Sequence, residues 1–158
     1  MECFLPDFVS HSNPMLQRSV EVDVNCSVQQ VYDLWENLEN VPHWIPLVKN
    51  VKRVRGDKEL WHWIFGLGFP LIAEWTSRIT RRIPLQLIAW NSVSGLLNQG
   101  VTEFFPTDQG CRLRLTLAFD LLGGIAGVFL QNIGLDHWLE VNLAESLTRF
   151  RSQQDLRS

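Results

Sequence analysis

Cysteine, tyrosine and long apolar runs are all scarce in this chain. Its 158 residues include three cysteines, Cys3, Cys26 and Cys111, with no CxxC spacing. An odd, scattered set does not make a disulfide framework, and a reducing compartment is expected. The longest uncharged apolar stretches are 64–73 and 121–130. Each is about half of the roughly 20 residues that a spanning helix needs, so no integral membrane segment is expected. Residues 1–10 carry Glu2 and Asp7 and no basic cluster, which argues against a secretory leader. Basic charge is also short. Fourteen Lys and Arg against seventeen Asp and Glu leave a net charge of −3, and no nucleic-acid partner is expected. His11, His43, His62 and His137 are scattered, and no HExxH, GxSxG, Walker or GxGxxG string occurs. No metal and no cofactor are expected.

What is present is indole. Seven tryptophans stand against one tyrosine. Indole is large and mostly apolar with a single N–H donor, so seven in one small domain imply a roomy apolar interior or an aromatic contact surface. The elements follow from periodicity. Residues 1–16, with Pro6 and Pro14, read as a flexible arm, 17–152 as one domain and 153–158 as a tail. Val20, Val22 and Val24 alternate with Glu21 and Asp23 as a first strand. Asn25 or Ser27 caps a helix over 28–35, whose apolar stripe is Val31, Leu34 and Trp35. A second short helix is expected over 38–44, with Pro42 in its first turn. Six strands follow. The first is an exposed one in which Val48, Val51 and Val54 lie among Lys49, Lys52, Arg53 and Arg55. The last, with Cys111, Leu113, Leu115, Leu117 and Phe119 on one face, has the cleanest period of two. Leu135, Leu139, Leu143, Leu147 and Phe150 then mark one face of a long helix beginning near Ile125 and running to about Arg151. Strands segregated from helices predict an α+β fold with an antiparallel sheet.

Three strings in this order resemble the START-related (SRPBCC) superfamily, in its polyketide cyclase/dehydrase-like and coenzyme Q-binding branch. They are LENVPHWIPLVKNVKRV at 38–54, IAWNSVSGLLNQGVTEFFP at 88–106 and FDLLGGIAG at 119–127. The resemblance covers roughly 18–151. It implies the helix-grip fold, a curved antiparallel sheet wrapped around a long C-terminal helix with two short helices after the first strand. It implies no particular catalytic residue.

Alternation puts Trp61, Trp63, Trp75, Trp90, Phe104, Leu113, Leu115 and Leu117 on apolar strand faces. These are the candidate walls of a ligand cavity, of the mostly apolar kind that binds small molecules. His62, Glu74 and Glu103 fall out of phase with their aromatic neighbours and are expected to face solvent, as is His137. The stretch 65–72 reads as an apolar loop between strands. Its Phe65, Leu67, Phe69 and Leu71 are candidates for contact with a membrane or partner, next to the basic cluster of Lys49, Lys52, Arg53, Arg55 and Lys58. The leading functional expectation is a cytoplasmic protein, peripheral at a membrane or free, that binds or carries a hydrophobic small molecule in a cavity between the sheet and the long helix, without catalysis. A quinone, isoprenoid, lipid or pigment fits. The alternatives are a cyclase/dehydratase-type enzyme with a cavity-facing acid or base, and an interaction module that docks on a membrane protein complex during assembly.

Overall fold

A computed structural model of the chain describes residues 16–68, 71–120 and 135–156. The elements run in the order β1 (Leu16–Val24), α1 (Val28–Glu36), a 3₁₀ turn (Leu38–His43), β2 (Val48–Arg53), β3 (Leu60–Gly68), β4 (Leu71–Ile83), β5 (Leu87–Gly95), β6 (Asn98–Thr107), β7 (Gly110–Phe119) and α2 (Leu135–Asp155). All seven strands form one antiparallel sheet, β1-β7-β6-β5-β4-β3-β2, curled into a half-barrel. With the C-terminal helix this is the helix-grip arrangement.

Local chemistry sets the entry to the sheet. Ser27 caps α1 through a reciprocal box. The Gln30 amide donates to Ser27 Oγ at 3.2 Å, and the Ser27 amide donates to Gln30 Oε1 at 3.0 Å. Asn37 Oδ1 accepts from the Glu39 amide at 3.2 Å and opens the 3₁₀ turn, in which Pro42 sits near the end rather than in the first turn. β2 buries Val48 and Val51 at a spacing of three. A bulge between Val48 and Asn50 supplies the extra residue, so this strand is half-buried rather than exposed.

Side chains then sort by face. Val20, Val22 and Val24 of β1 and Cys111, Leu113 and Leu115 of β7 point to the concave side and are buried. Cys111 is a small apolar filler there, and burial pushes its thiol up to about 11. The convex side carries charge. Arg112 holds both carboxylate oxygens of Asp23, at 2.7 and 3.0 Å, and Arg114 holds Glu21 at 2.7 Å. The Arg112 guanidinium keeps the Asp23 carboxyl below its usual range.

α2 closes the other side. Its Leu147 and Phe150 are fully buried, and Phe150 packs edge-on against Trp44 and Trp35, with ring centroids at 4.8 and 5.8 Å. The helix extends past the expected end at Arg151 to Asp155, which accepts from the Asn25 amide at 3.3 Å, and Gln154 is buried. The expected helix start near Ile125 lies outside the described residues. The side chains of Leu135, Leu139 and Leu143 also lie outside the description.

The β4–β5 connection is a four-residue turn closed by the Gln86 amide on Ile83 O at 3.0 Å. Pro84 takes its second position and Leu85, at φ 63°, its third. Proline followed by a positive φ defines a type II turn, whose third position favours glycine. Leu85→Gly is therefore expected to stabilise the fold by about 0.5–1 kcal/mol, a rise of roughly 1–4 °C in the thermal midpoint. Calorimetry checks this.

Candidate functional site: an aromatic cavity

The concave face does not close completely. A cavity of about 40 Å³ remains between the sheet and the segment formed by α1 and the 3₁₀ turn, and no described residue of α2, the expected cover, lines it. Trp35 of α1 and Leu38 and Val41 of the 3₁₀ turn make one wall, and Ile45 after the turn and Val48 of β2 adjoin them. The sheet supplies the opposite wall. Trp63 and Phe65 come from β3, Trp75 from β4, Ile88 and Trp90 from β5. Asn98 and Thr102 of β6 and Leu115, Leu117 and Phe119 of β7 complete it.

Register explains which rings meet. Trp63 and Trp75 are direct partners across β3 and β4, and their rings stack at 5.9 Å and 11°. Phe65 leans on Trp75 from one side at 5.8 Å, and Phe119 meets it edge-on at 6.2 Å. Trp90 is the partner of Gly100 across β5 and β6. Its indole occupies the place of the missing side chain, and a Cβ on Gly100 would lie 2.3 Å from Trp90 Cζ2.

Of the expected cavity walls, Trp63, Trp75, Trp90, Leu115 and Leu117 line the cavity, whereas Trp61, Phe104 and Leu113 do not. These three are buried on the same face but toward its other end. Phe104 packs edge-on against Tyr32 of α1 at 5.3 Å. Trp61 lies beneath the Arg53 guanidinium, 4.8 Å from its ring. Leu113 is fully buried beside Val22 and Phe104 in the register. Phe65 departs further from expectation. β3 runs through Gly68, so the segment read as a loop is mostly strand, and Phe65 is 5% exposed in the cavity wall instead of on the surface. The same period that placed Trp61 and Trp63 inward carries on to Phe65. Phe69 lies outside the described residues, and the side chains of Leu67 and Leu71 are outside the description. Trp35, read as part of a helix stripe, is a cavity wall as well.

The polar equipment of the cavity is sparse. Asn98 is tied down through its side-chain amide, which donates to Leu96 O at 2.8 Å. Trp63 Nε1 donates to Ser77 Oγ at 2.8 Å. Trp35 Nε1 and Trp75 Nε1 are shielded from solvent and have no acceptor among the described residues. Leaving a buried donor unpaired costs about 1–3 kcal/mol. None of the described lining residues is titratable. His62 lies on the convex side, between Thr76 Oγ1 at 3.3 Å and Glu74 Oε2 at 3.7 Å, and Glu103 faces Arg114 at 3.6 Å.

An apolar, aromatic hollow under a half-barrel agrees with what comparison with known proteins finds. Residues 24–134 match the family described as polyketide cyclase / dehydrase and lipid transport. The chain belongs to this family. Members share a fold more than an activity. Over 95 residues the chain is 30% identical to an uncharacterized 17.2 kDa protein of Streptomyces lincolnensis, a match covering 60% of each chain. In structure it is similar to an aromatase/cyclase from Streptomyces sp. R1128, with TM-score 0.73 and 17% identity over 91% of this chain and 96% of that one. It is also similar to a START superfamily protein from Mycobacterium smegmatis, with TM-score 0.66 and 16% identity over 88% and 97% of the two chains. These likenesses establish the fold.

The seat of Trp90 gives a direct test of the cavity's construction. Gly100→Ala is expected to drive the indole out of place, lowering stability by about 1–3 kcal/mol and changing the near-ultraviolet circular dichroism. An unchanged spectrum and thermal midpoint would show that Trp90 does not rest on Gly100.

Proposed function

We propose that this family member binds or carries a hydrophobic small molecule in the cavity between the sheet and its helical cover, without chemistry of its own. The observation that supports this best is the lining. Apart from Asn98 and Thr102 it is wholly apolar among the described residues. A cyclase or dehydratase would need an acid or base at the substrate, and His62, Glu74 and Glu103 lie on the convex face. Burial drives binding, at roughly 25 cal/mol per Å² of apolar ligand surface, offset by the cost of association. The space of about 40 Å³ left between these side chains is room for only a few waters. A quinone, isoprenoid, lipid or pigment remains the candidate class. Calorimetric titration with a short-chain quinone and with farnesol is the test. Trp75→Ala and Trp90→Ala are expected to weaken binding about tenfold or more, whereas Phe104→Ala, a core truncation outside the cavity, leaves affinity unchanged. No binding of either ligand, together with no co-purifying small molecule in native mass spectrometry, would sink the reading.

Contact with a membrane surface is a second reading, favoured by one observation. Ile72, Val93 and Leu97 are 65%, 55% and 40% exposed. The register brings them to the end of the sheet where the β3–β4 and β5–β6 connections meet, since Leu96 N donates to Glu74 O at 3.1 Å. The Lys49 side chain lies over Gly66 nearby, so a cation borders the apolar group. No helix among the described residues is long and apolar enough to cross a membrane. Ile72→Asp combined with Leu97→Asp is expected to lower co-sedimentation with anionic vesicles several-fold while leaving the fold intact. Unchanged co-sedimentation would place any attachment elsewhere.

A further inference from the structure

Basic charge gathers at one edge of the sheet. Residues 49–58 hold five of the chain's fourteen Lys and Arg, namely Lys49, Lys52, Arg53, Arg55 and Lys58, and all five are exposed. Asp57, in the same stretch, is held by Arg78 at 2.9 Å, and Glu59 just after it by Arg82 at 3.3 Å. Among the described residues none of Lys49, Lys52, Arg55 and Lys58 has an ion-pair partner. The backbone beneath them is open as well. β2 is the last strand of the sheet, and residues 50–53 pair in continuous register with β3 alone. The segment after the 3₁₀ turn bonds at the start of the strand, where the Val48 amide donates to Ile45 O at 2.9 Å. Apart from the ladder with β3, no hydrogen bond among the described residues reaches the backbone of residues 49–53. Such an edge carries a row of backbone donors and acceptors ready for another strand. Lysine on an edge guards it against wrong pairing, and the guard works by sign. A second copy of β2 would set cations opposite cations, which is destabilising, whereas an acidic strand would set carboxylates opposite them.

We propose that the β2 edge is a docking surface for an extended acidic segment of a partner protein, which adds to the sheet as a further strand beside residues 50–53 and sets its carboxylates against Lys49, Lys52, Arg53 and Arg55. Backbone bonds supply the affinity, and the cationic row selects the partner. The proposal is independent of what the aromatic cavity holds.

The test uses the intact protein and three peptides, capped at both ends and about as long as the six-residue strand. The first alternates glutamate with valine. The second has the same side chains with every backbone nitrogen methylated, so that its charge stays and its backbone donors are lost. The third carries lysine in place of glutamate. The acidic peptide is expected to bind, the methylated one about tenfold more weakly or worse, and the lysine peptide not at all. Hydrogen exchange of the wild type reads the place of binding. The acidic peptide should slow exchange of backbone amides within residues 49–53 about tenfold and leave those of β1 unchanged. Lys52→Glu combined with Arg55→Glu should weaken the acidic peptide about tenfold or more. If that variant fails to fold, the wild-type exchange pattern decides alone, protection at 49–53 supporting the proposal and its absence overturning it. Equal binding of the acidic and methylated peptides would reduce the edge to a patch of charge and overturn strand addition. Failure of the acidic peptide to bind, or protection elsewhere than 49–53, would also overturn it. Protection of the same amides by phosphatidylserine vesicles and not by the peptide would make this edge a membrane contact instead.

Discussion

The stack of Trp63 on Trp75 organises the concave face. The two residues are directly opposed across β3 and β4, so the backbone register and the ring contact reinforce each other. Ser77 fixes the tilt of Trp63 by accepting its N–H, and Ser77 is itself fully buried. Phe65 and Phe119 then rest on Trp75 from two sides. Rings held this way are stiff. They cannot collapse into the space that the curl of the sheet opens, and a hollow persists where a core of flexible aliphatic side chains would close it.

The same stack separates the two ends of the concave face. Toward the β3–β4 and β5–β6 connections the rings enclose space. Toward the other end, Tyr32 of α1 meets Phe104, and the interior is filled. This division accounts for what could be read from the residues in advance. A period of two assigns a side chain to a face, and it placed Trp63, Trp75, Trp90, Leu115 and Leu117 correctly on the inner one. It carries no information about position along the strand relative to a helix packed elsewhere. Trp61, Phe104 and Leu113 have the same period, yet lie outside the cavity wall, Phe104 against Tyr32 of α1 and Trp61 beneath Arg53.

Other differences have equally local causes. Glycines at 66 and 68 suggested a loop, yet β3 passes through both, and Gly66 gives room to the Lys49 side chain. The apolar period that continues to Phe65 was the better guide there. In β2 a bulge changes the spacing of inward residues from two to three, which an alternation template reads as an exposed strand. Trp35 was legible as an apolar helix position, and its second role depends on how α1 lies over the sheet. The element order and the antiparallel architecture were legible because long strands with strict alternation leave few other solutions.

The strand order has a consequence for how the chain is made. β2 through β7 follow one another as neighbours, each able to pair as soon as its predecessor has formed. β1 is different, because its only strand partner among the described residues is β7, and Glu21 meets Arg114 across 93 positions of sequence. On the ribosome the first strand therefore emerges with an apolar face of Val20, Val22 and Val24 and waits through synthesis of almost the whole sheet. Such an edge is exposed to wrong pairing for several seconds at ordinary translation rates of about 5–20 residues per second. The alternating Glu21 and Asp23 keep that waiting strand charged on its other face, which discourages pairing with a second copy of itself. The same carboxylates then find Arg112 and Arg114 when β7 arrives, so the residues that protect the nascent strand also fix its final register.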